Sequence, residues 1–463
     1  MNDCLKIAIV GIPNEGKSSF VSTLAYNDGI SVSSNSGETT LSSKHSLKIG
    51  SEVVYELYDT PGFDDDEGVL NYINDNKMKY SDIYELIRSF IKENTEENTF
   101  FKDVEILKVL MEKPIVVYIV NSSVKYNSNF DDSLKIIKKF NLPSFIIYNQ
   151  HDENKNEKAS LGDIEKKYFI SSFEYNVLNS NFNNKIDFLE MLEKNIQDKN
   201  LKNQLCKSIE ILNKDFKRRL DFSYQELSDR FYKIINHTKE YKESDLLKKN
   251  IEKKEAEFIE EIKLQEKSFY SLIEKEWGFY NLTKNIKDFK NIEITSKTFG
   301  SKKYLSIGIL AGAGAGDAAG GQMDVGFFGY TFGIPTVLGT IGGGIVGGVS
   351  SIIGKDKINK KTGGFLNKKT TKLSIDNLNT KLSILSKLCL FVDLLSNRSH
   401  AIREEFTLEG KENLFDDIFN NEQQKEIRNI LKEKDKNKFT TKLKEILLDN
   451  YYEKNKIKEL KCN

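Results

Sequence analysis

The chain has 463 residues, 38% of them hydrophobic and 11% aromatic, which is enough apolar material for about three domains with cores of their own. Lys plus Arg and Asp plus Glu both number 69, so the zero net charge excludes a whole-molecule attraction to nucleic acid or acidic lipid. The four cysteines are far apart and form no CxxC pair, which excludes a metal site or disulfide framework by spacing and favours a reducing, cytoplasmic location.

Residues 1–199 alternate short apolar runs with longer polar stretches of helical character. This pattern is typical of βαβ units around a mostly parallel sheet, so we predict an α/β domain over 1–199. The predicted strands are 5–10, 53–58, 114–120, 144–149 and 167–171, and the predicted helices are 17–26, 78–112, 129–140 and 184–199.

The segment GIPNEGKS, residues 11–18, fits the pattern GxxxxGK[ST] between a predicted strand and a predicted helix. Such glycines let backbone N–H groups surround phosphate oxygens at a helix N-terminus, where the dipole favours anions. The lysine reaches the β and γ phosphates, and the serine hydroxyl ligates Mg²⁺. We therefore predict a P-loop that binds nucleotide through Gly11, Asn14, Glu15, Gly16, Lys17, Ser18 and Ser19, with Lys17 also catalytic and Ser18 also a metal ligand.

Two further polar segments follow predicted strands. Asp59-Thr60-Pro61-Gly62 follows strand 53–58, so we predict that Asp59 holds Mg²⁺ and that the Gly62 N–H senses the γ-phosphate. Asn149-Gln150-His151-Asp152 follows strand 144–149, and a carboxylate there can accept hydrogen bonds from the N1–H and amino group of guanine.

The base-binding set is predicted from the second of these segments and from the next strand. Asn149 braces the loop and meets the base edge, Gln150 flanks the base, and Asp152 reads guanine. Ser171 and Ser172 follow the predicted strand 167–170 and are expected to contact the base from below.

These elements resemble the G1, G3, G4 and G5 motifs of the translation-factor-related GTPases, and GxPNxGKSS and DTPG resemble the Era and TrmE branch. The family pattern at the base is NKxD, and Gln150 stands in place of the lysine. The resemblance implies a GTPase that requires Mg²⁺ and hydrolyses GTP to GDP and phosphate.

The same resemblance implies three residue roles. In Gly37-Glu38-Thr39-Thr40, Thr40 is expected to ligate Mg²⁺ and contact the γ-phosphate in catalysis, with Thr39 as the alternative. Phe63 stands where many GTPases have a catalytic glutamine. Asn14 matches an asparagine that in some relatives helps bind K⁺, so we expect turnover to be stimulated by K⁺.

Residues 200–303 are nearly free of proline and glycine and carry apolar residues at helical spacing, for example Ile209, Leu212, Phe216 and Leu220. We predict two or three long amphipathic helices in a stalk-like region. They serve either as a helical linker domain or as the surface for a second copy or a protein partner.

Residues 304–354 hold more than half of the glycines, many of them four residues apart. This spacing puts small residues on one helix face, and we predict a helical hairpin with glycine-packed limbs. Lysines flank both outer ends, which suits a hairpin anchored at the inner face of a membrane, whereas Asp317 favours a hairpin buried in protein. Both alternatives stay open.

Residues 355–463 return to Lys/Glu/Leu-rich helices, which predicts a C-terminal helical domain and an all-α region after residue 199. The layout resembles a bacterial group in which a GTPase domain precedes helices, a glycine-rich hairpin and a terminal helical domain. The pieces that match are Trp277-Gly278-Phe279, Thr298-Phe299-Gly300 and Arg398-Ser399-His400-Ala401. His400 itself is expected at the surface or at a helix end.

Three functions are compatible with this layout. The first is a GTPase switch whose nucleotide state repositions the helical region, and the second is a membrane-inserted or membrane-remodelling GTPase. The third, an RNA-binding assembly factor, rests on the likeness to Era alone, and the zero net charge argues against it. An ATP-dependent kinase shares the phosphate loop but does not need the Asn149–Asp152 pair.

Overall fold

The fold was analysed on a computed structural model, which describes residues 4–30, 39–94, 99–122, 130–150, 171–242, 248–286, 292–299, 306–311, 370–408 and 414–455. Asp152 and the greater part of the predicted glycine hairpin lie outside these residues.

The described N-terminal strands form one six-stranded sheet in the order β2-β3-β1-β4-β5-β6. Strands β1, β3, β4, β5 and β6 are parallel, and β2 runs antiparallel to β3 at the edge. The bounds are β1 Lys6–Val10, β2 Ser43–Ile49, β3 Glu52–Asp59, β4 Ile115–Asn121, β5 Ser144–Asn149 and β6 Ser171–Tyr175. The predicted mostly parallel sheet is confirmed, with the addition of β2, whose polar sequence did not mark it as a strand.

Helices cover this sheet. Their bounds are α1 Lys17–Leu24, α2 Asp66–Asn76, α3 Ile83–Glu93, α4 Phe101–Met111, α5 Asp131–Lys139 and α6 Phe182–Asn195. The single helix predicted over 78–112 is wrong, because α2, α3 and α4 occupy residues 66–111 instead. Aspartates start two of the three: the Asp65 carboxylate accepts a hydrogen bond from Gly68 N at 2.9 Å, and that of Asp82 accepts one from Glu85 N at 2.8 Å.

The C-terminal region is built on two long helices, α7 Lys199–Ile235 and α8 Lys248–Glu276, as the helical spacing predicted. Four further helices follow: α9 Leu378–Ser396, α10 Leu414–Ile418, α11 Asn421–Ile430 and α12 Lys436–Asn455. The apolar stripe of α7 lies in the core of the chain, packed against α6, α8, α9 and α12. The stripe is therefore covered by the chain's own helices and is not a free partner surface.

The prediction of an all-α C-terminal region is wrong in detail, because the region also contains strands. Among the described residues, β7 Thr238–Lys242, β9 Ile292–Phe299, β10 Ser306–Ala311 and β11 Thr370–Ser374 form an antiparallel sheet in the order β10-β9-β11-β7. Strand β12, Phe406–Leu408, pairs in parallel with β8, Lys284–Ile286.

Strand β10 lies where the first limb of the glycine hairpin was predicted to begin as a helix. Residues 306–311 pair with β9 from Ala311 opposite Ile292 to Ser306 opposite Lys297, so the helix prediction is wrong there. Their alternation of β-branched Ile307 and Ile309 with small residues suits a strand, and glycine disfavours a helix by about 1 kcal/mol per residue. No helix in the described part of the chain is both long and apolar enough to span a bilayer.

One hydrophobic cluster runs from the first strand to the last helix. It includes Ile7 and Ile9 of β1, Leu212 of α7 and Tyr451 of α12, so it crosses the boundary predicted at residue 199. Ser208 of α7 also donates a hydrogen bond to the carbonyl of Val54 in β3 at 3.0 Å. The two regions therefore share a core, which places the C-terminal helices directly behind the parallel sheet.

Candidate nucleotide-binding site

The loop between β1 and α1 takes a shape that requires glycine at both ends. Gly11 has φ 144°, and a Cβ there would lie 2.6 Å from the carbonyl oxygen of Ile119 in β4. Gly16 precedes α1 with φ 92°, in the left-handed region. The loop therefore passes close to the sheet and enters α1 through a left-handed glycine, and the N-terminus of a helix is where a phosphate group is bound favourably.

Lys17 is the buried cation of this loop. Its Nζ donates a hydrogen bond to the carbonyl of Ile12 at 2.7 Å, and its side chain is largely shielded from water. Burial lowers the pKa of Lys17 to about 8, while the carboxylates of Asp59 and Glu15 act in the opposite direction. A bound phosphate group would place negative charge beside this buried ammonium and stabilise its protonated form.

Asp59 ends β3 next to the start of α1, where a metal ion was predicted. The residue is 3% exposed, and its Oδ1 has no hydrogen-bond partner among the residues that the structure describes. Burial raises the pKa of Asp59, and a hydrogen bond with Ser18 and the charge of Lys17 oppose this shift. A buried carboxylate oxygen without a partner, beside a serine hydroxyl, is a donor set that fits Mg²⁺.

The hydroxyl that approaches Ser18 belongs to Thr39, at 3.4 Å between the two Oγ atoms, whereas Thr40 is exposed. The structure therefore places the alternative residue, Thr39, in the position expected for Thr40.

The DTPG segment packs against the phosphate loop. A Cβ on Gly62 would lie 2.4 Å from Pro13 Cδ and 2.5 Å from Pro13 N, so glycine is required at this contact. Thr60 Oγ1 donates a hydrogen bond to the Ile9 carbonyl at 2.7 Å, which ties the segment to β1. Phe63 is buried, so this position offers no polar group to a water molecule.

Asp103 of α4 holds the two residues that follow Phe63. It was not predicted from the sequence. Its carboxylate accepts hydrogen bonds from Asp64 N at 3.1 Å and Asp65 N at 3.2 Å. The side chain is fully buried, and burial raises its pKa to about 6. Its position at helical spacing from the apolar residues Ile106, Leu107 and Leu110 was the available signal.

Asn149 ends β5 at the side of the site predicted to hold the base. It is 1% exposed; its Nδ2 donates to the Glu15 carbonyl at 3.1 Å, and its Oδ1 accepts from Val177 N at 3.3 Å. The adjacent Gln150 donates from Nε2 to the Glu174 carboxylate at 2.9 Å. Asn149 thus connects the phosphate loop to the segment after β6.

Two other residues of the predicted loop have defined surroundings. Glu15 is buried, and its carboxylate accepts a hydrogen bond from the backbone N–H of Asn121 at the end of β4. Asn14 is exposed with φ 67°, a conformation that asparagine tolerates better than most residues.

Ser171 and Ser172 do not lie at the site, and their prediction as base contacts is wrong. They begin β6 and pair with Phe145 and Ile146 near the start of β5, at the opposite edge of the sheet from the phosphate loop. Within the described residues β6 spans Ser171–Tyr175, so both serines lie in the strand and do not follow it. The segment that reaches the site is therefore the one containing Val177.

Two motifs from the C-terminal region, Trp277-Gly278-Phe279 and Arg398-Ser399-His400-Ala401, meet behind α1. The His400 ring stacks on Phe279 with centroids 4.1 Å apart, and its Nε2 lies 2.9 Å from the Trp277 carbonyl oxygen. His400 is 2% exposed, so the expectation of a surface or helix-end residue is wrong. Burial lowers its pKa well below the usual range, and the nearby Lys185 adds to this.

These motifs also hold the residues between α1 and the segment that carries Thr39. Arg403 Nη2 donates to the Ile30 carbonyl at 2.7 Å, and Asp28 accepts from the backbone N–H groups of Tyr280 at 3.0 Å and Asn281 at 2.9 Å. Gly278 has φ 78°, and a Cβ there would lie 2.7 Å from the Tyr26 carbonyl oxygen. The C-terminal region therefore contacts the residues after α1, which precede Thr39. Through Ser399 and Val177 it also contacts the side of the site predicted to hold the base.

Comparison with known proteins agrees with this geometry. Residues 6–150 match the model of a family described as 50S ribosome-binding GTPase, and residues 163–460 match that of a domain of unknown function, DUF3482. The chain is similar to GTPase Der of Buchnera aphidicola subsp. Baizongia pistaciae (strain Bp), with 38% identity over 73 residues, which is 16% of each chain.

Two solved structures of Era are similar in part. Era of Aquifex aeolicus bound to GDP and AlF4⁻ has 19% identity and a TM-score of 0.29, over 42% of this chain and 57% of that one. Era in complex with MgGDPNP and a segment of 16S ribosomal RNA has 20% identity and a TM-score of 0.28, over 41% and 55%. The chain thus spans little more than half the length of these Era chains.

The DUF3482 model covers more than half of the chain, from before β6 to the end of α12. The GTPase model covers β1 to β5, including the phosphate loop, DTPG and Asn149. The chain therefore belongs to the DUF3482 family, and its N-terminal region is a GTP-binding P-loop GTPase domain.

Proposed function

We propose that the protein binds GTP with Mg²⁺, hydrolyses it to GDP and phosphate, and couples its nucleotide state to the helical C-terminal region. The observation that carries the proposal is the buried, unpartnered Oδ1 of Asp59 beside Ser18, at the end of a glycine-shaped phosphate loop. This pairing of a metal-binding carboxylate with a phosphate cradle is the requirement of Mg²⁺–nucleoside triphosphate chemistry.

Each part of the site has a role in this proposal. Ser18, Asp59 and either Thr39 or Thr40 hold Mg²⁺, which supplies charge neutralisation on the phosphates when bound. Lys17 exchanges its hydrogen bond with the Ile12 carbonyl for phosphate oxygens. The Gly62 N–H contacts the γ-phosphate.

The guanine base binds between Asn149, Gln150 and Asp152. The Asn149 side chain keeps the base side and the phosphate loop in register, because it is hydrogen-bonded to both segments. The Gln150 side chain is hydrogen-bonded to Glu174, and in this proposal it lies beside the base.

Phe63 provides no hydrogen bond to the attacking water, so charge stabilisation must come from elsewhere. We propose that K⁺ bound at the exposed Asn14 supplies it, as an added positive charge against the phosphates. Equal turnover in matched sodium and potassium buffers would remove this part of the proposal and leave the GTPase itself intact.

The experiment is phosphate release from GTP and from ATP with Mg²⁺, each in potassium and in sodium buffer. We expect turnover of GTP only, lost in Lys17→Ala and retained in the control Lys194→Ala, whose lysine is exposed on α6 and forms an ion pair with Glu190 at 3.0 Å. Turnover of ATP at the GTP rate would contradict the guanine assignment.

Membrane association is the second candidate and rests on sequence. Two glycine-rich stretches of about the length that spans a bilayer lie between lysines at both outer ends, Lys302–Lys303 and Lys355–Lys361. Sedimentation with acidic liposomes, with and without GTP, tests it: absence of the protein from the pellet in both conditions contradicts membrane binding.

A further inference from the structure

Ser399 lies at the centre of a buried hydrogen-bond chain that leads from the C-terminal region to the nucleotide site. Its Oγ donates to the Val177 carbonyl at 2.7 Å, lies 3.0 Å from Thr23 Oγ1 of α1, and accepts from Ala401 N at 3.2 Å. The single proton of Ser399 goes to the Val177 carbonyl, so Ser399 accepts from Ala401 N, and the Thr23 hydroxyl, which also lies 3.0 Å from the Ser19 carbonyl, divides its one proton between that carbonyl and Ser399. Both hydroxyl-bearing residues are buried.

The chain continues from Val177 to the phosphate loop. Val177 N donates to Asn149 Oδ1 at 3.3 Å, and Asn149 Nδ2 donates to the Glu15 carbonyl at 3.1 Å. Val177 is thus held at its carbonyl by Ser399 and at its N–H by Asn149. A shift of the Ser399 segment changes the position of Val177, and with it the hydrogen bond that orients the Asn149 amide.

We propose that Ser399 is a positioning residue for the base side of the nucleotide site, so that the segment 399–403 of the C-terminal region sets the dissociation rate of guanine nucleotide through Val177 and Asn149. The inference rests on the proposed GTP binding. The proposal gives a role to Arg398-Ser399-His400-Ala401, a motif that does not belong to the GTPase motifs. Because coupling between two sites is reciprocal, bound nucleotide must in turn stabilise the segment 399–403.

The test is the release of mant-GDP from the full chain with Mg²⁺, followed by fluorescence after addition of excess GDP. Ser399→Ala leaves the Val177 carbonyl without its partner, and we expect release about fivefold faster than in the wild type, the order expected for one buried hydrogen bond. Only bound molecules contribute to this rate, so a smaller folded fraction does not alter it.

Ser386→Ala is the matched control. Ser386 is a buried serine of α9 whose hydroxyl donates to the Leu382 carbonyl at 2.8 Å, away from the site. We expect its release rate to equal that of the wild type. Equal rates in the wild type and Ser399→Ala, or the same acceleration in Ser386→Ala, would overturn the positioning role.

A second measurement needs no variant and decides the case if Ser399→Ala does not fold. Amide hydrogen exchange of the wild type is compared with and without GDP and Mg²⁺. We expect exchange to slow more at Ala401 and Ile402, whose N–H groups bond to Ser399, than in α11, where only the stabilisation of the whole molecule acts. Unchanged exchange at both residues while GDP is bound would overturn the inference, whereas failure of the wild type to bind mant-GDP would overturn the proposed function as well.

Discussion

At the scale of single residues, the site is shaped by charges that the fold buries without full compensation. Asp59 and Lys17 are both shielded from water, and burial shifts the pKa of each toward its neutral form. Such groups destabilise the ligand-free protein and are stabilised when a metal ion and phosphates bind. This is the usual compromise of a binding site between stability and function.

Replacement of Asp59 by Asn tests this compromise. We expect Asp59→Asn to raise the free energy of unfolding of the ligand-free protein by about 1 kcal/mol, because the neutral amide is easier to bury. We expect GTP turnover to fall by a factor on the order of 100, because the metal loses a charged ligand. Urea unfolding and phosphate release measure the two effects.

Asp64→Asn is the control for that substitution. Asp64 lies five residues further on, its side chain is 54% exposed, and its carboxylate is 3.5 Å from Lys102 Nζ. We expect little change in either measurement, since exposed ion pairs contribute little to stability. A ligand-free Asp59→Asn protein that is less stable than the wild type would contradict the assignment of a strained, unpartnered carboxylate.

Lys185 gives a pH dependence with a defined sign. Its Nζ lies 3.7 Å from the Tyr26 ring centroid, and burial lowers its pKa from 10.5 to about 7, with Arg219 adding to the shift. Between these values the unfolded chain holds more protons than the native one, so stability rises with pH. The slope is at most about 1.4 kcal/mol per pH unit.

We expect Lys185→Met to reduce this rise between pH 7.5 and 9.5 to the part that Lys17 contributes, while the exposed Lys194→Met retains it in full. Urea unfolding at several pH values measures both. A slope in Lys185→Met equal to that of the wild type would show that the ammonium at position 185 is not the titrating group.

At the scale of elements, the local hydrophobic pattern predicted those strands and helices that are buried on one or both faces. Strands β1, β3, β4 and β5 are apolar runs, and α7 and α8 have sustained helical spacing, so their type was evident. Strand β2 was missed because five of its seven residues are polar. Strands β7, β9 and β11 were missed because their pairing joins segments more than 50 residues apart. Such pairing depends on tertiary context, which local propensity does not contain.

The residues of the candidate site also fall into two groups, those that the local sequence predicted and those that it did not. The phosphate loop and DTPG are contiguous motifs and lie together as predicted. Ser171 and Ser172 were assigned to the wrong edge because the end of β6 was set from a single apolar run. Asp103, Val177 and Ser399 were missed because their roles follow from contacts across the fold.

Gly278 provides a test at the junction of two elements, the end of α8 and the loop after α1. Gly278→Ala places a Cβ 2.7 Å from the Tyr26 carbonyl oxygen at φ 78°, so we expect a loss of about 2 kcal/mol or more in stability. Gly50→Ala is the matched control, with φ 62° and nothing within 4 Å of the added Cβ. We expect it to cost about 1 kcal/mol from backbone strain alone.

Thermal or urea unfolding measures the pair. The difference between the two variants isolates the contact with Tyr26 from the general cost of alanine in the left-handed region. Equal losses at the two positions would mean that the loop 277–281 does not press on the residues after α1.

At the scale of the whole molecule, the parallel sheet and the C-terminal helices share one hydrophobic cluster. A shared core predicts that both regions unfold together, unlike domains joined by a linker. The chain has a single tryptophan, Trp277, which is buried in the C-terminal region and donates a hydrogen bond to Ser223 Oγ at 3.0 Å. Its fluorescence therefore reports on this region.

We expect the Trp277 fluorescence transition and the loss of circular dichroism to coincide in urea. Addition of Mg²⁺ and GDP is expected to shift both midpoints upward by the same amount, because a ligand of the N-terminal region stabilises the whole cooperative unit. Two separated transitions, of which only one moves with GDP, would contradict the shared core.

The shared core also has a consequence for synthesis of the protein. Helix α7 ends at residue 235, but α12, which packs on it, is not complete until residue 455. At about 5–20 residues per second, this part of the apolar face of α7 stays exposed for a time on the order of tens of seconds. The nascent chain is therefore expected to bind chaperones that recognise exposed hydrophobic surface until the last helix is made.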